Sequence, residues 1–473
     1  MQGEPGLHHI PQEEESAPAR LMVSTDSGAL LLMTVASFKP NSVWGVPAVA
    51  VAAALAFWGG PASAGILLAV MATFVLGYVG LRSIQFGSTV RPAAFAPASN
   101  AFTPLFPWVI GAIVIRWIAA IFLNATDLWL HFAPDAYFYE LAGEAIRESW
   151  NSPAVDLSLW FGQSTALFYP YLNAFIQVPF GSSRYPLSFI NGVIGVLAGY
   201  NFSLLARSLY GPRAQRRVFL LAAFFPSLII WSSMSIRESW SWLALSIVLF
   251  SGQKLRERFS ITHMVGLILG MVWLSLLRTY LVPFVVLGLV LSFLTVRARQ
   301  VPYVAVGCLL MVVFLGVFGD RLGIHISETF SEESLETVDT MRRNLAYGGS
   351  AYGSRVDTTT FMGALLYFPE GVARFLLSPV PWTISSWRQA IALPETMVWA
   401  FFLYQAVREI MTSIRSDISR MALLVFVIAL VTGAYGLVSG NEGTAYRHRA
   451  QVMLPLFVLA AGWYVRRMDV SEG

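Results

Sequence analysis

Arginines stand at the junctions between polar connections and long apolar stretches of this chain. Arg237 lies in "SIRESWSW", Arg278 in "LLRTYLVP" and Arg447 in "AYRHRAQVMLP". A charge beside hydrocarbon is costly and usually faces a cavity or a partner, so each arginine is a candidate functional residue. The planar guanidinium pairs two phosphate oxygens at once and keeps its charge at physiological pH. Arg237 is therefore a candidate for holding a phosphate group, and Arg278 and Arg447 are candidates for contacts with a ligand.

Polar neighbours of these arginines are candidates for a supporting role. They are Glu238, Tyr280 and Arg449. Glu238 would orient Arg237 towards a ligand, whereas a structural interpretation treats the two as a charge pair that caps a helical hairpin. Arg278 likewise either contacts a ligand or extends its charged end towards water from the end of a helix.

A carboxylate that could take part in the chemistry is Asp135, in "PDAYFYELAGEAI". It follows Pro134, so it is expected at the N-cap or in the first turn of a helix, and capping alone would explain it. A carboxylate above a membrane helix can also take a proton from an attacking hydroxyl while cations stabilise a phosphate leaving group. His131 and Asp135 are too few ligands to indicate a metal site, so no metal residue is assigned and a requirement for a divalent metal is left open.

Membrane-spanning helices must position these residues. The chain has 473 residues, of which 56% are hydrophobic and 12% charged, with a mean hydropathy of +0.62. Several apolar runs approach the roughly 20 residues that cross a bilayer, and they lack the alternation of a barrel strand. The fold class is therefore an all-α polytopic membrane protein with amphipathic surface helices. The formal charge of +4 does not indicate nucleic acid, because the basic residues form short clusters between apolar runs.

The basic clusters orient the helices, because positive residues favour the cytoplasmic side. The candidate spans are residues 45–58, 65–84, 107–124, 187–206, 218–235, 240–251, 264–277, 281–296, 301–318, 361–377, 395–407, 421–438 and 452–465. The orientation is consistent throughout if residues 361–377 form an amphipathic element on the outer surface, which leaves about twelve crossings with both termini inside. Alternatively, residues 361–377 cross and an unrecognised span restores the parity.

Outer connections then contain the candidate site. Arg447 and Arg449 lie on the side that basic residues usually avoid, which favours a function for them. The segment between the spans 107–124 and 187–206 is also outside, and "DAYFYELAGEAIRESW" and "STALFYPYLNAFIQVPF" are predicted to be helices in the membrane interface. Pro226 is expected to bend the helix that precedes Arg237.

The remaining segments complete the predicted organisation. Residues 1–27 are expected to be a disordered cytoplasmic tail, residues 28–104 an extension with about two spans, and residues 468–473 a second tail. The membrane core covers residues 105–467, with outer loops at 125–186 and 320–394. Cys308 is the single cysteine, which excludes internal disulfides.

The core resembles the glycosyltransferase C superfamily, and in particular its bacterial branch related to protein mannosyltransferases and lipopolysaccharide sugar transferases. The resemblance rests on the span at 107–124, the acidic residue of the first outer loop, the two surface helices, the "FPSLIIWSSMSIRES" hairpin and the late "AYRHRAQVMLP". It implies sugar transfer from a polyprenyl-phosphate donor, with Asp135 as catalytic base and Asp127 as the alternative. It also implies that Arg237, Arg278 and Arg447 hold the lipid-linked phosphate.

Two features depart from the family pattern. The acidic pair expected at the start of the loop is reduced to Asp135 followed by Ala136, and about 100 residues precede the core.

Three functions are compatible with these features of the sequence. The first is a glycosyltransferase on the outer face of the cytoplasmic (inner) membrane, acting in cell-surface glycan synthesis on a glycan, lipid or protein acceptor. The second is a polymerase or ligase of lipid-linked oligosaccharides, which would leave a ladder of products. The third is a transporter or flippase, which predicts charges within span centres or broken helices at matched positions. No Walker loop, dinucleotide fingerprint, paired CxxC or HExxH motif occurs, and no cofactor is assigned.

Overall fold

A computed structural model describes residues 105–152, 155, 157, 168–295, 332–345, 352, 357–416 and 418–472. Within these residues the protein is all-helical, as the sequence predicts, and contains no β-strand. The predicted tail at 1–27, the extension at 28–104, the span at 301–318 and Cys308 lie outside the described residues.

The described residues form sixteen α-helices. They are α1 (Phe106–Ala125), α2 (Leu128–Phe132), α3 (Asp135–Ser149), α4 (Phe168–Phe180), α5 (Arg184–Tyr210), α6 (Pro212–Phe224), α7 (Pro226–Ser232), α8 (Glu238–Glu257), α9 (Ile261–Arg278), α10 (Val282–Leu294), α11 (Glu332–Leu345), α12 (Phe361–Leu377), α13 (Trp387–Ser416), α14 (Ala422–Val438), α15 (Glu442–His448) and α16 (Ala450–Glu472).

Five helical segments among the described residues are long and apolar enough to cross a membrane. They are Phe106–Ala125, Arg184–Tyr210, Ile261–Leu294, Trp387–Ser416 and Ile418–Val438. The pair α6 and α7 makes a sixth if it is counted as one span, and it is bent by 58° at its break. The bend confirms the role predicted for Pro226. The predicted spans 45–58, 65–84 and 301–318 lie outside the described residues, and the twelve predicted crossings are not confirmed.

The segment Ile261–Leu294 reverses direction at a 3-10 turn, Thr279–Leu281. Arg256, at the end of α8, donates a hydrogen bond of 2.9 Å to the Thr295 hydroxyl, which follows α10. Because α9 begins four residues after α8 ends, both ends of the segment lie near the same end of α8. The two helices α9 and α10 therefore run in opposite directions.

The C-terminal helix α16 lies in the centre of the described core. Every residue from Val452 to Leu454 and from Leu456 to Ala461 is at most 3% exposed. The helix packs against α13, α5 and α6. Apolar side chains are buried on all sides of α16, so the position of this helix is fixed by packing. The short helix α15, which carries Arg447, directly precedes α16 and is held in place with it.

The predicted surface segments form the helices α3 and α4, which pack on each other. A side chain at Gly143 would place its Cβ 2.8 Å from the Cβ of Asn173, so glycine is needed for this close approach. An ion pair between Glu140 and Arg184 joins α3 to the start of α5, and the Arg184 guanidinium lies 3.8 Å from the centre of the Trp129 ring. These contacts fix the start of α3, where Asp135 is found.

Helix α12 covers the segment that the sequence assigns to the outer surface. Glu370 and Arg374 form an ion pair of 2.8 Å on its exposed side. Gly371 contacts the C-terminal part of α14 so closely that an added Cβ would lie 2.2 Å from the Gly436 carbonyl oxygen. Whether α12 lies on the membrane or crosses it stays a prediction.

Candidate active site

Four predicted site residues lie at helix ends, and the sign of each charge matches its end. Asp135 and Glu238 are the first residues of α3 and α8, while Arg278 and Arg447 lie in the last turns of α9 and α15. A helix dipole stabilises anions at its N-terminus and cations at its C-terminus. The local sequence thus favours charges at these positions before any tertiary contact forms.

Arg447 joins the two carboxylates of the cluster. Its Nη1 and Nη2 donate hydrogen bonds of 2.8 Å to the two oxygens of Asp135. Its Nε donates to Glu238, whose side chain is fully buried. This bidentate ion pair fixes the orientation of the Asp135 carboxylate.

Arg278 is the second partner of Glu238. Its Nη2 donates to the Glu238 carboxylate, and its Nη1 lies 2.7 Å from the Tyr280 hydroxyl and 2.9 Å from Nε2 of His448. The Arg278 side chain is 1% exposed, so the ion pair compensates for the removal of both charges from water. Its Nε is buried and has no hydrogen-bond partner among the described residues.

Arg237 differs from the other two arginines because no carboxylate among the described residues forms an ion pair with it. Its Nη1 donates a hydrogen bond of 3.1 Å to the Leu277 carbonyl, and its buried Nε has no partner within the described part of the chain. Three arginines and two carboxylates leave the cluster of Asp135, Arg237, Glu238, Arg278 and Arg447 with a net charge of +1. The surplus charge lies on the residue with unused donors, as an anion-binding site requires.

The pKa of Asp135 lies below its ordinary value. Burial by itself raises this pKa, but the Arg447 charge and its hydrogen bonds outweigh the effect of burial. The Asp135 side chain remains 35% exposed, so a ligand can reach it. Burial likewise lowers the pKa of Arg447, and the charges of Asp135 and Glu238 reverse that effect, so the net pKa of Arg447 is raised. Both groups are charged at neutral pH.

His448 is a site residue that the sequence reasoning did not select, although it lies within the quoted "AYRHRAQVMLP". Burial and the neighbouring Arg278 hold its pKa well below the ordinary value. The imidazole is therefore neutral, and its Nε2 accepts the hydrogen bond from Arg278. Its ring packs on Tyr435, with centroids 4.9 Å apart.

Asn191 is a second residue that the sequence reasoning missed, and it fixes the loop before Arg237. Its side-chain amide donates to the carbonyls of Met234 and Ile236 at 2.6 and 2.9 Å. Its oxygen accepts a hydrogen bond of 2.7 Å from the Trp240 indole. Asn191 could have been identified from the sequence, because it is a polar residue within the predicted span 187–206.

Two further predicted residues have contacts elsewhere. Arg449 is fully buried, and it donates to the backbone carbonyls of Leu376 and Ser378 at 3.0 and 2.9 Å. Asp127 accepts a hydrogen bond of 3.2 Å from the Trp129 indole. Neither contacts the cluster around Arg447. Tyr280, by contrast, belongs to the cluster through its contact with Arg278.

The described residues contain no group of three histidine, cysteine, aspartate or glutamate side chains placed to hold a metal ion. His131 is exposed and belongs to α2, whereas Asp135 begins α3.

No protein-family model, curated protein or solved structure matches the chain.

Proposed function

We propose that the protein is a membrane glycosyltransferase that moves a sugar from a polyprenyl-phosphate donor to a lipid-linked, glycan or protein acceptor in cell-surface glycan synthesis. The observation that carries the proposal is the cluster itself. It combines a reachable carboxylate, Asp135, with an arginine, Arg237, whose charge lowers the pKa of Asp135 and which has no carboxylate partner among the described residues. The net positive charge favours an anionic donor, and the surrounding apolar helices suit a lipid.

We also propose how the chain crosses the membrane. The chain would cross the cytoplasmic (inner) membrane about twelve times, with both termini in the cytoplasm and the cluster on the extracytoplasmic face.

In the proposed reaction an acceptor hydroxyl oxygen attacks the anomeric carbon of the donor sugar. The bond between that carbon and the phosphate oxygen breaks, and its electron pair leaves with the polyprenyl phosphate. Arg237 stabilises the departing charge, and Asp135 takes the proton of the hydroxyl. Holding donor and acceptor in line supplies a further part of the rate acceleration.

The contact between Arg447 and Asp135 predicts that the donor binds before Asp135 acts as a base. While Arg447 donates two hydrogen bonds to Asp135, the carboxylate is a weak base, because its pKa is low. A donor phosphate competes with Asp135 for the Arg447 guanidinium, and loss of that contact raises the pKa of Asp135. Donor binding would therefore activate the base.

The test uses the purified full chain in liposomes with polyprenyl-phosphate hexoses and pentoses labelled in the sugar. Asp135→Asn should abolish transfer, and Asp127→Asn is the matched control, because it changes an acidic residue of the same loop that has no contact with the cluster. Transfer by the wild type that survives in Asp135→Asn would remove the role of Asp135. No transfer of any labelled sugar by the wild type would contradict the proposed function, and a ladder of products would favour a polymerase.

A further inference from the structure

The break between α6 and α7 leaves backbone groups without their usual helical partners. Pro226 starts α7 and has no N–H, so the Ala222 carbonyl loses the donor that a continuous helix would supply four residues later. The N–H of Ser227 would bond to Ala223 in such a helix. Instead it donates a hydrogen bond of 2.8 Å to the Glu395 carboxylate of α13.

Arg116, in the middle of α1, occupies the carbonyl side of the break. Its Nη2 donates to the Ala222 carbonyl at 3.0 Å, and its Nη1 donates to the Ala223 carbonyl at 2.6 Å. Its Nε donates to the Ser232 hydroxyl at 2.9 Å, at the far end of α7. The side chain is fully buried, and no carboxylate among the described residues forms an ion pair with it.

The two charges match the two helix ends that meet at the break. Arg116 lies at the C-terminal end of α6, and Glu395 lies at the N-terminal end of α7. The helix dipole favours a cation at the first position and an anion at the second. Two side chains from different helices thus replace the hydrogen bonds that a straight helix would make.

A face of α5 without side chains lets these segments approach. A Cβ at Gly195 would lie 2.7 Å from the Cβ of Ser232, and a Cβ at Gly199 would lie 2.8 Å from the Cβ of Ala222. Gly192 gives the same close approach to Arg116, at 3.1 Å. The bent pair is therefore held from three sides by α1, α5 and α13.

We infer that Arg116 and Glu395 are positioning residues, which hold the bend between α6 and α7 in the direction that brings Arg237 and Glu238 to Asp135. Helix α7 ends at Ser232, five residues before Arg237, so its direction sets the position of that arginine. The inference rests on the proposed function only where sugar transfer is the readout.

A charge within a span and a broken helix are also features of transporters. Here, however, four donor contacts of Arg116 are made to the protein's own atoms, the fourth to the Ala112 carbonyl at 3.0 Å. The position of the Arg116 charge inside α1 is thus explained by its hydrogen bonds to the break between α6 and α7.

The first test compares Arg116→Gln with the wild type by hydrogen–deuterium exchange of the full chain in lipid nanodiscs. Exchange in peptides that cover residues 225–237 should accelerate about tenfold or more, because the carbonyls and Ser232 lose their donors. Arg256→Gln is the control, since Arg256 is also buried and donates to a backbone carbonyl, that of Ser419, away from the break. It should leave exchange in residues 225–237 unchanged.

Two milder variants keep the test decisive if Arg116→Gln does not fold. Arg116→Lys retains a cation that can bond to the carbonyls, and it should restore most of the protection. Glu395→Gln keeps an oxygen acceptor for the Ser227 N–H and should accelerate exchange less than Glu395→Leu. Exchange in Glu395→Leu that is no faster than in Glu395→Gln and the wild type would overturn the inference.

The second test adds Pro226→Ala to Arg116→Gln. The new N–H at position 226 can bond to the Ala222 carbonyl and straighten the helix, so the thermal midpoint and the protection of residues 225–237 should recover. Arg116→Gln should lose sugar transfer, and the double variant should not regain it, because a straight helix moves Arg237 away from Asp135. Recovery of transfer with recovery of stability would show a purely structural role and overturn the inference. If the wild type transfers no sugar, the exchange results still decide the inference, while the proposed function alone fails.

Discussion

Arg447 and Asp135 form two parallel hydrogen bonds of 2.8 Å, although 312 positions separate them in the chain. The contact joins the start of α3 to α15, the short helix that precedes α16. Because Arg447 also donates to Glu238, the same guanidinium brings three distant parts of the chain to one point. Formation of the site therefore depends on completion of the whole described core.

Arg447→Gln is expected to change the pH dependence of the proposed sugar transfer. In the wild type the pKa of Asp135 is depressed, so activity should fall only at acidic pH, as the carboxylate becomes protonated. Removal of the Arg447 charge raises that pKa, so the acidic limb of kcat/KM should move to higher pH, together with a fall in rate. Measurement of kcat/KM from about pH 4 to 8 tests this prediction. An unshifted acidic limb would mean that another group controls it.

Arg237→Gln should weaken binding of a polyprenyl monophosphate by about tenfold to a hundredfold, the range for a lost charged hydrogen bond of about 1.5–3 kcal/mol. Its thermal midpoint should change little, since the side chain makes one hydrogen bond to a carbonyl within the described residues. Arg388→Gln is the matched control, because Arg388 also donates to a single carbonyl, that of His131. Binding is measured by titration with farnesyl phosphate, and equal affinities in both variants would contradict the assignment.

Glu238→Gln should destabilise the protein strongly, by about 3–5 kcal/mol, because it removes the counter-charge of the buried Arg278. Thermal unfolding in detergent measures the loss. The double variant Glu238→Gln with Arg278→Met should be more stable than Glu238→Gln alone, since it removes the uncompensated cation as well. A double variant that is less stable than either single variant would show that the two residues do not act as a pair.

Asn191→Leu should lower sugar transfer at least about tenfold, because the loop from Ser233 to Arg237 loses its two hydrogen bonds to the amide. Asn201→Leu is the control on the same helix, where the buried amide bonds to the Ser246 hydroxyl at 3.2 Å. Both variants should lose stability, and only Asn191→Leu should lose affinity for the donor phosphate. Loss of affinity in both would indicate a general effect of α5 packing.

Sequence reasoning identified much of the site because the relevant signals are local. Asp135, Arg237, Arg278 and Arg447 are charges next to apolar runs, and this pattern is visible without any contact. The bend at Pro226 followed from the missing N–H of proline. Arg116 has a weaker local signal, because a single arginine inside the predicted span 107–124 does not interrupt the apolar character of that span.

The amino-acid sequence by itself determined an all-helical fold, the apolar stretches long enough to cross a membrane, and the residue types at the helix ends, since hydropathy and dipole effects act over one or a few turns. Only the tertiary structure decided which charges neutralise each other. Arg447 and Arg278 pair with carboxylates, Arg237 has none among the described residues, and Arg449 bonds to backbone carbonyls instead. The physical reason is that these pairings depend on how the helices pack, which brings together residues up to 312 positions apart.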